Sequence, residues 1–220
     1  MAGLTSSTIG RKYAMALSAM FLLLFLIMHL SVNLLSICSP SAFNAASEFM
    51  GYNPFIQFLM QPVLGFAVVF HFVMGFVLEL KNRSARPVKY AVNQGSANST
   101  WMSRNMIISG LVVLAFLGLH LYDFWWHEIN FKYIEANTPD NERFWPELHA
   151  KFADAWRVVL YLVAFVLLGL HLAHGFQSSF QSVGARHPKY TPVIKTLGTW
   201  YSILIPAGFI FIAVYHFLTQ

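Results

Sequence analysis

Residues 13–37 read YAMALSAMFLLLFLIMHLSVNLLSI, an apolar run of 25 residues without one Asp, Glu, Lys or Arg. A helix rises ~1.5 Å per residue, and about 20 apolar residues cross the hydrocarbon core of a bilayer. The run therefore predicts a membrane-spanning helix. Arg11 and Lys12 precede it, and Leu35-Ser36-Ile37-Cys38 near its end faintly resembles a lipoprotein cleavage site. A secretory core holds only about 7–15 apolar residues, so the length argues against a cleaved leader.

Working outward, four more runs of spanning length lie at about 56–80, 105–127, 155–180 and 197–218. Pro62 and Pro206 predict kinks without excluding helices, because membrane helices tolerate proline where neighbours satisfy the freed carbonyl. Unbroken runs, and no ten-residue alternating segments, exclude a β-barrel. The expectation is an all-α integral membrane bundle of five transmembrane helices, with residues 1–220 as a single membrane domain. No internal repeat or low-complexity tract is apparent, and no GxGxxG, P-loop or nucleophile elbow occurs.

Composition agrees: 57% of the residues are hydrophobic and only 10% charged, which places the chain in the membrane class. The excess of 14 Lys and Arg over 9 Asp and Glu lies in the connections and not on an aromatic-interleaved face, so nucleic acid is not the expected partner. Arg11, Lys12, Lys81, Arg83, Arg86, Lys89, Arg104, Arg186, Lys189 and Lys195 share one side. Lys132, Arg143, Lys151 and Arg157 share the other with most acids, among them Glu48, Glu128 and Glu147. The positive-inside rule then makes the N-terminus cytoplasmic and the C-terminus external. On the external side the connection 128–154, with Trp145, Pro146 and Trp156, reads as an interfacial cap. The single cysteine, Cys38, excludes a disulfide framework or an iron–sulfur cluster built by this chain alone, and the lack of CxxCH means that any haem is held noncovalently.

Ionisable residues inside spans are functional candidates. Histidines stand well inside four of the five runs: His29, His71, His120, and His171 with His174. His29 lies 18 residues beyond Arg11 and His120 16 beyond Arg104, so both stand about 24–27 Å from the cytoplasmic boundary. His71 precedes Lys81 by 10, about 15 Å, and His171 is level with it when counted from Phe180. The four sort into an outer pair, His29 with His120, and an inner pair, His71 with His171. Two bis-histidine haems stacked across a bundle need four imidazoles on four helices at two levels. Gly75 and Gly175 follow the inner histidines by four residues and leave room for a flat macrocycle. Asn33 and Asp123 follow the outer ones as polar neighbours for an imidazole, a propionate or water. The alternative for one histidine is an interhelical hydrogen bond; four at matched depths point to coordination. His174, His127, His149, His187 and His216 keep the plainer reading.

The ordered set of histidines, with His29-Leu-Ser-Val-Asn33, His71-Phe-Val-Met-Gly75 and His171-Leu-Ala-His-Gly-Phe176, resembles over the whole chain the five-helix, di-haem type B cytochrome b anchors of succinate dehydrogenases and fumarate reductases. The resemblance selects His171 over His174 as the fourth ligand. It implies two haem b groups, a quinone site in the membrane, with menaquinone near the outer haem, and a place in respiratory complex II and the tricarboxylic acid cycle. It further implies a flavoprotein and an iron–sulfur subunit docked on the cytoplasmic face of a bacterial inner membrane, with dicarboxylate chemistry on those partners. Glu48 is the first candidate for proton exchange at the quinone, and Asp123 the second. Glu79 is expected either on a proton path or paired with Lys81 or Arg83. Two other readings compete: an anchor for an externally facing hydrogenase or formate dehydrogenase, and a haem-free transporter, which five unrepeated spans disfavour.

Overall fold

The computed structural model describes residues 7–84 and 101–220. Besides a single helical turn at Trp101–Arg104, its helices are α1 (Thr8–Cys38), α2 (Pro40–Tyr52), α3 (Ile56–Ser84), α4 (Met106–Ile134), α5 (Phe144–Lys151), α6 (Ala155–Ser182) and α7 (Thr191–Leu218). Five of them, α1, α3, α4, α6 and α7, are long and apolar enough to cross a membrane, and no β-strand occurs among the described residues. The chain is an all-α, multi-pass membrane protein. Arg86 and Lys89, counted above among the basic residues, lie outside the described residues.

Local chemistry sets the boundaries. Ser7 Oγ accepts from Gly10 N at 2.9 Å to start α1. Ser39 both ends α1, donating its N–H to Leu35 O at 2.8 Å, and caps α2, where its Oγ accepts from Ala42 N at 3.3 Å and Pro40 opens the first turn. Glu48, between the first two expected spans, therefore stands on a helix. α4 continues seven residues past the expected 127, through π-helical turns at Leu121–Trp126 and Asn130–Ile134. Its polar residues dilute the hydropathy, yet the helix persists because partners satisfy them: Glu128 pairs with Lys132 at 2.5 Å and with Arg143. The expected external loop is thus replaced by the end of α4, a short 135–143 segment and α5.

α1 packs against α3, α6 and α7, and α6 against α4 and α7, with α3 and α4 in lighter contact. The first four spanning helices accordingly form a ring in chain order, and α7 braces α1 and α6 from outside. Tyr201 OH donates to Leu23 O at 2.7 Å between α7 and α1. Pro206 cannot bond the carbonyl of Ser202 one turn earlier. Gly169 on α6 faces that carbonyl so closely that a Cβ there would stand 3.1 Å from it and 3.4 Å from Pro206 Cγ. This contact brings α6 and α7 together in the best-packed part of the molecule, around Phe165, Phe209, Ile212 and Ala213.

Candidate functional site

Inside the four-helix ring runs a chamber of about 840 Å³, bordered by His29, His71, His120 and His171. The four rings meet in two couples. His29 and His120 stand 5.7 Å apart, centroid to centroid, with planes at 89°; His71 and His171 stand 6.4 Å apart at 70°. Each couple joins opposite helices of the ring, α1 with α4 and α3 with α6. The couples also lie at different levels. Ser18 on α1 sits 3.3 Å from His71 Nδ1, so His71 is level with position 18, and His29 is 29 − 18 = 11 residues further, about 16 Å along the axis. Ser109 on α4 is likewise 3.3 Å from His171 Nδ1, and His120 is 120 − 109 = 11 residues beyond it.

Two imidazoles on opposite sides of one metal ion have centroids about 6.4 Å apart, from a metal–nitrogen bond of ~2.0–2.1 Å and a ring radius of about 1.1 Å. Both couples come close to that separation. Among the described residues no three or more His, Cys, Asp or Glu side chains converge as an all-protein metal cage would require. The donor sets are pairs, which suit an ion whose remaining ligands come from a macrocycle.

The glycines fit a flat group. At Gly75 an added Cβ would meet only the methyl end of Met15 at 3.7 Å, and at Gly175 only that of Met106 at 3.5 Å; both glycines border the chamber. Gly110 brings α4 close to His171, whose Cε1 would be 3.5 Å from a Cβ there. Aromatic rings wall the other couple: Phe25 stacks on His29 at 5.2 Å, Phe124 lies 5.2 Å from His120, and Phe209 of α7 lies 5.6 Å from His29. Asn33 borders the chamber and donates one amide N–H to the carbonyl of its own helix, His29 O, at 2.8 Å. His174 also borders the chamber and is not one of the coupled rings.

The expectation of no internal repeat is corrected by the environment of these rings. Met15, Ser18, Phe25 and His29 on α1 recur with identical spacing as Met106, Ser109, Phe116 and His120 on α4. His71-x3-Gly75-Phe76 on α3 recurs as His171-x3-Gly175-Phe176 on α6. α1 with α3 and α4 with α6 thus share two spaced patterns and one matched contact, a serine of the first helix 3.3 Å from the histidine Nδ1 of the second. A few fixed positions among interchangeable apolar residues carry the pattern, which is why ordinary similarity along the chain hides it.

The acids are placed differently from one another. Glu79 pairs with Arg83 at 2.7 Å, and not with Lys81. Glu48 is half-buried on α2 and does not border the chamber. Asp123 is fully buried in the first π-helical turn of α4, where its Oδ2 accepts from Tyr161 OH at 2.9 Å and lies 3.4 Å from Arg157 Nε. Tyr161 itself borders the chamber.

A polar cluster covers the end of the bundle where α2 and α5 lie. Trp145 of α5 donates its backbone N–H to Asn44 Oδ1 and its indole N–H to Ser36 O, both at 2.7 Å. Arg143 bonds Glu128 and Glu147; burial disfavours its charge, but the two carboxylates outweigh that and raise its pKa above the ordinary arginine value. His216, fully buried, hydrogen-bonds Ser36 Oγ at 2.9 Å and His149 Nδ1 at 3.1 Å, so the α5 cap is tied to α1 and α7. An interhelical hydrogen bond is the plainer reading given to both histidines, but their separation of 216 − 149 = 67 residues leaves no local signal that they bond each other. Comparison of the chain with family models, curated proteins and solved structures gave no match.

Proposed function

We propose that the chain is the di-haem cytochrome b anchor of a succinate:quinone oxidoreductase, a succinate dehydrogenase or fumarate reductase, and passes electrons between an iron–sulfur subunit and membrane quinone. The observation that supports this most is the pairing of four imidazoles on opposite helices at two levels, each pair near the separation of two ligands on one ion. Haem b supplies one-electron transfer when bound.

In this reading His71 and His171 hold the inner haem, and His29 and His120 the outer. Gly75 and Gly175 leave the space beside the inner pair. Phe25, Phe124 and Phe209 keep water from the outer rings. The surrounding bundle is apolar, so the charge of an oxidised centre is poorly solvated and axial and hydrogen-bonding partners set its potential. The N-terminal end faces the cytoplasm of a bacterium, as the positive-inside rule requires of Arg11, Lys12, Lys81, Arg186 and Lys189, and receives the flavoprotein and iron–sulfur subunits. Quinone, of the menaquinone class, exchanges protons near the outer pair. Of the two candidate acids Asp123 is the better connected, because its partner Tyr161 borders the chamber whereas Glu48 does not.

The test is gentle affinity purification of the full chain from its native membrane, followed by cross-linking. A flavin-containing and an iron–sulfur protein that reduce the membrane haems on addition of succinate are expected, with cross-links to residues 183–190. Recovery of a hydrogenase or formate dehydrogenase subunit, or cross-links confined to residues 135–143, would contradict the assignment and its orientation.

A further inference from the structure

His71 and His171 each meet a serine from the neighbouring helix, and the arrangement is the same twice. Ser18 Oγ donates to Met15 O at 2.8 Å and lies 3.3 Å from His71 Nδ1; Ser109 Oγ donates to Met106 O at 3.0 Å and lies 3.3 Å from His171 Nδ1. A hydroxyl has one proton. Once it is given to the carbonyl three residues back, the oxygen can only accept. The carbonyl contacts, at 2.8 and 3.0 Å against 3.3 Å to the rings, are the shorter, which assigns the hydroxyl proton to the carbonyl and the ring hydrogen to Nδ1 in both histidines. A neutral imidazole has one N–H, which leaves Nε2 of each ring with a bare lone pair. Neutral rings are also the form an apolar interior favours, since two imidazolium charges at this separation would be buried without counter-ions.

We infer that Ser18 and Ser109 are positioning residues that fix the tautomer of His71 and His171, so that this pair coordinates through Nε2 while the serines draw electron density into the rings. The inference rests on the proposed function for the metal it serves. Coordination through one ring nitrogen is ordinarily oriented by a hydrogen bond from the other, and that bond makes the imidazole a stronger donor. A stronger donor stabilises the oxidised iron and lowers its reduction potential. The device belongs to one pair only. At the other level His120 Nδ1 is buried without a hydrogen-bond partner, although α1 and α4 repeat the same residues at the same spacing. Each serine thus serves the ring of its neighbouring helix and not the histidine of its own helix 11 positions on. The two haem sites are electronically unequal by construction.

Potentiometric titration of the purified full chain tests this, with His29→Ala as the background that keeps only the inner haem. Ser18→Ala and Ser109→Ala should each retain that haem and shift its midpoint potential upward, with a larger shift in the double variant. Electron paramagnetic resonance should show the largest g value moving as the rings lose their fixed orientation. Ser18→Thr and Ser109→Thr, which keep the hydroxyl, should restore the wild-type values. In the His71→Ala background the same serine changes should leave the remaining haem unmoved. Unaltered potential and g value in the alanine variants, or an equal shift in the threonine variants, would overturn the inference while leaving a two-haem protein intact. A wild-type chain that binds no haem would instead remove the proposed function, and this inference with it.

Discussion

Alanine at His29 and alanine at His120 are expected to remove the same haem, halving the haem content per chain and leaving one spectral component intact. Alanine at His71 and alanine at His171 should remove the other. The reason is the crossing of the couples: α1 and α4 share one level, α3 and α6 share the next, and 11 helical residues, about 16 Å, separate them. No single substitution on α1 therefore reaches both centres. Quantitative haem extraction and low-temperature spectra of the four variants check this, after expression is matched, because a lost ligand withdraws binding energy from the folded state. If His29 and His71 variants lost one haem and His120 and His171 the other, the pairing across opposite helices would be wrong. His174→Gln should retain both haems.

A second large effect is expected in the packing of α6 on α7. Gly169→Leu places side-chain atoms where a Cβ alone would already stand 3.1 Å from the Ser202 carbonyl oxygen. Backbone cannot move aside as a flexible side chain can, so the helices must separate, at a cost of about 3 kcal/mol, the upper part of the usual range for overpacking. The fifth helix should loosen, and with it Tyr201 to Leu23 and the wall that Phe209 provides beside His29. Gly118→Leu is the matched control, since nothing lies within 4 Å of an added Cβ on that exposed face, and it should change stability by less than about 1 kcal/mol. Thermal unfolding of the two variants in detergent, followed by tryptophan fluorescence, distinguishes them. Equal stability would mean that the α6–α7 contact is looser than described.

The sequence was most legible where physics acts on long runs of residues. Five spans, their number and the two levels of histidine follow from apolar length and helix rise, and the structure places His29 with His120 and His71 with His171 in space. It was least legible where polar groups are satisfied by distant partners. α2 was hidden because Ser39-Pro40 reads equally as the end of a helix, and the partners that hold it beside α5 are distant in sequence: Asn44 bonds Trp145 N and Glu142 O, and Phe43 joins the buried cluster that contains Leu148. The end of α4 was hidden because Glu128 and Lys132 lower its hydropathy, while Arg143 and Gly51 O supply their partners from elsewhere. Asn33 shows how a local bond shapes such a residue: its side chain bonds the carbonyl four residues back, a common arrangement for polar residues in apolar helices, while it still borders the chamber. The repeated Met-x2-Ser-x6-Phe-x3-His pattern is present in the chain, but its serines act on the histidines of the next helix, a contact that no local spacing shows.

Whether the four histidines hold two haems is decided by the haem stoichiometry of the purified full chain together with its paramagnetic resonance spectrum. Two haem b per chain, both low-spin with two imidazole ligands, are predicted. A chain that purifies folded and free of haem, or that holds one high-spin haem insensitive to replacement of His29, His71, His120 and His171, would contradict it.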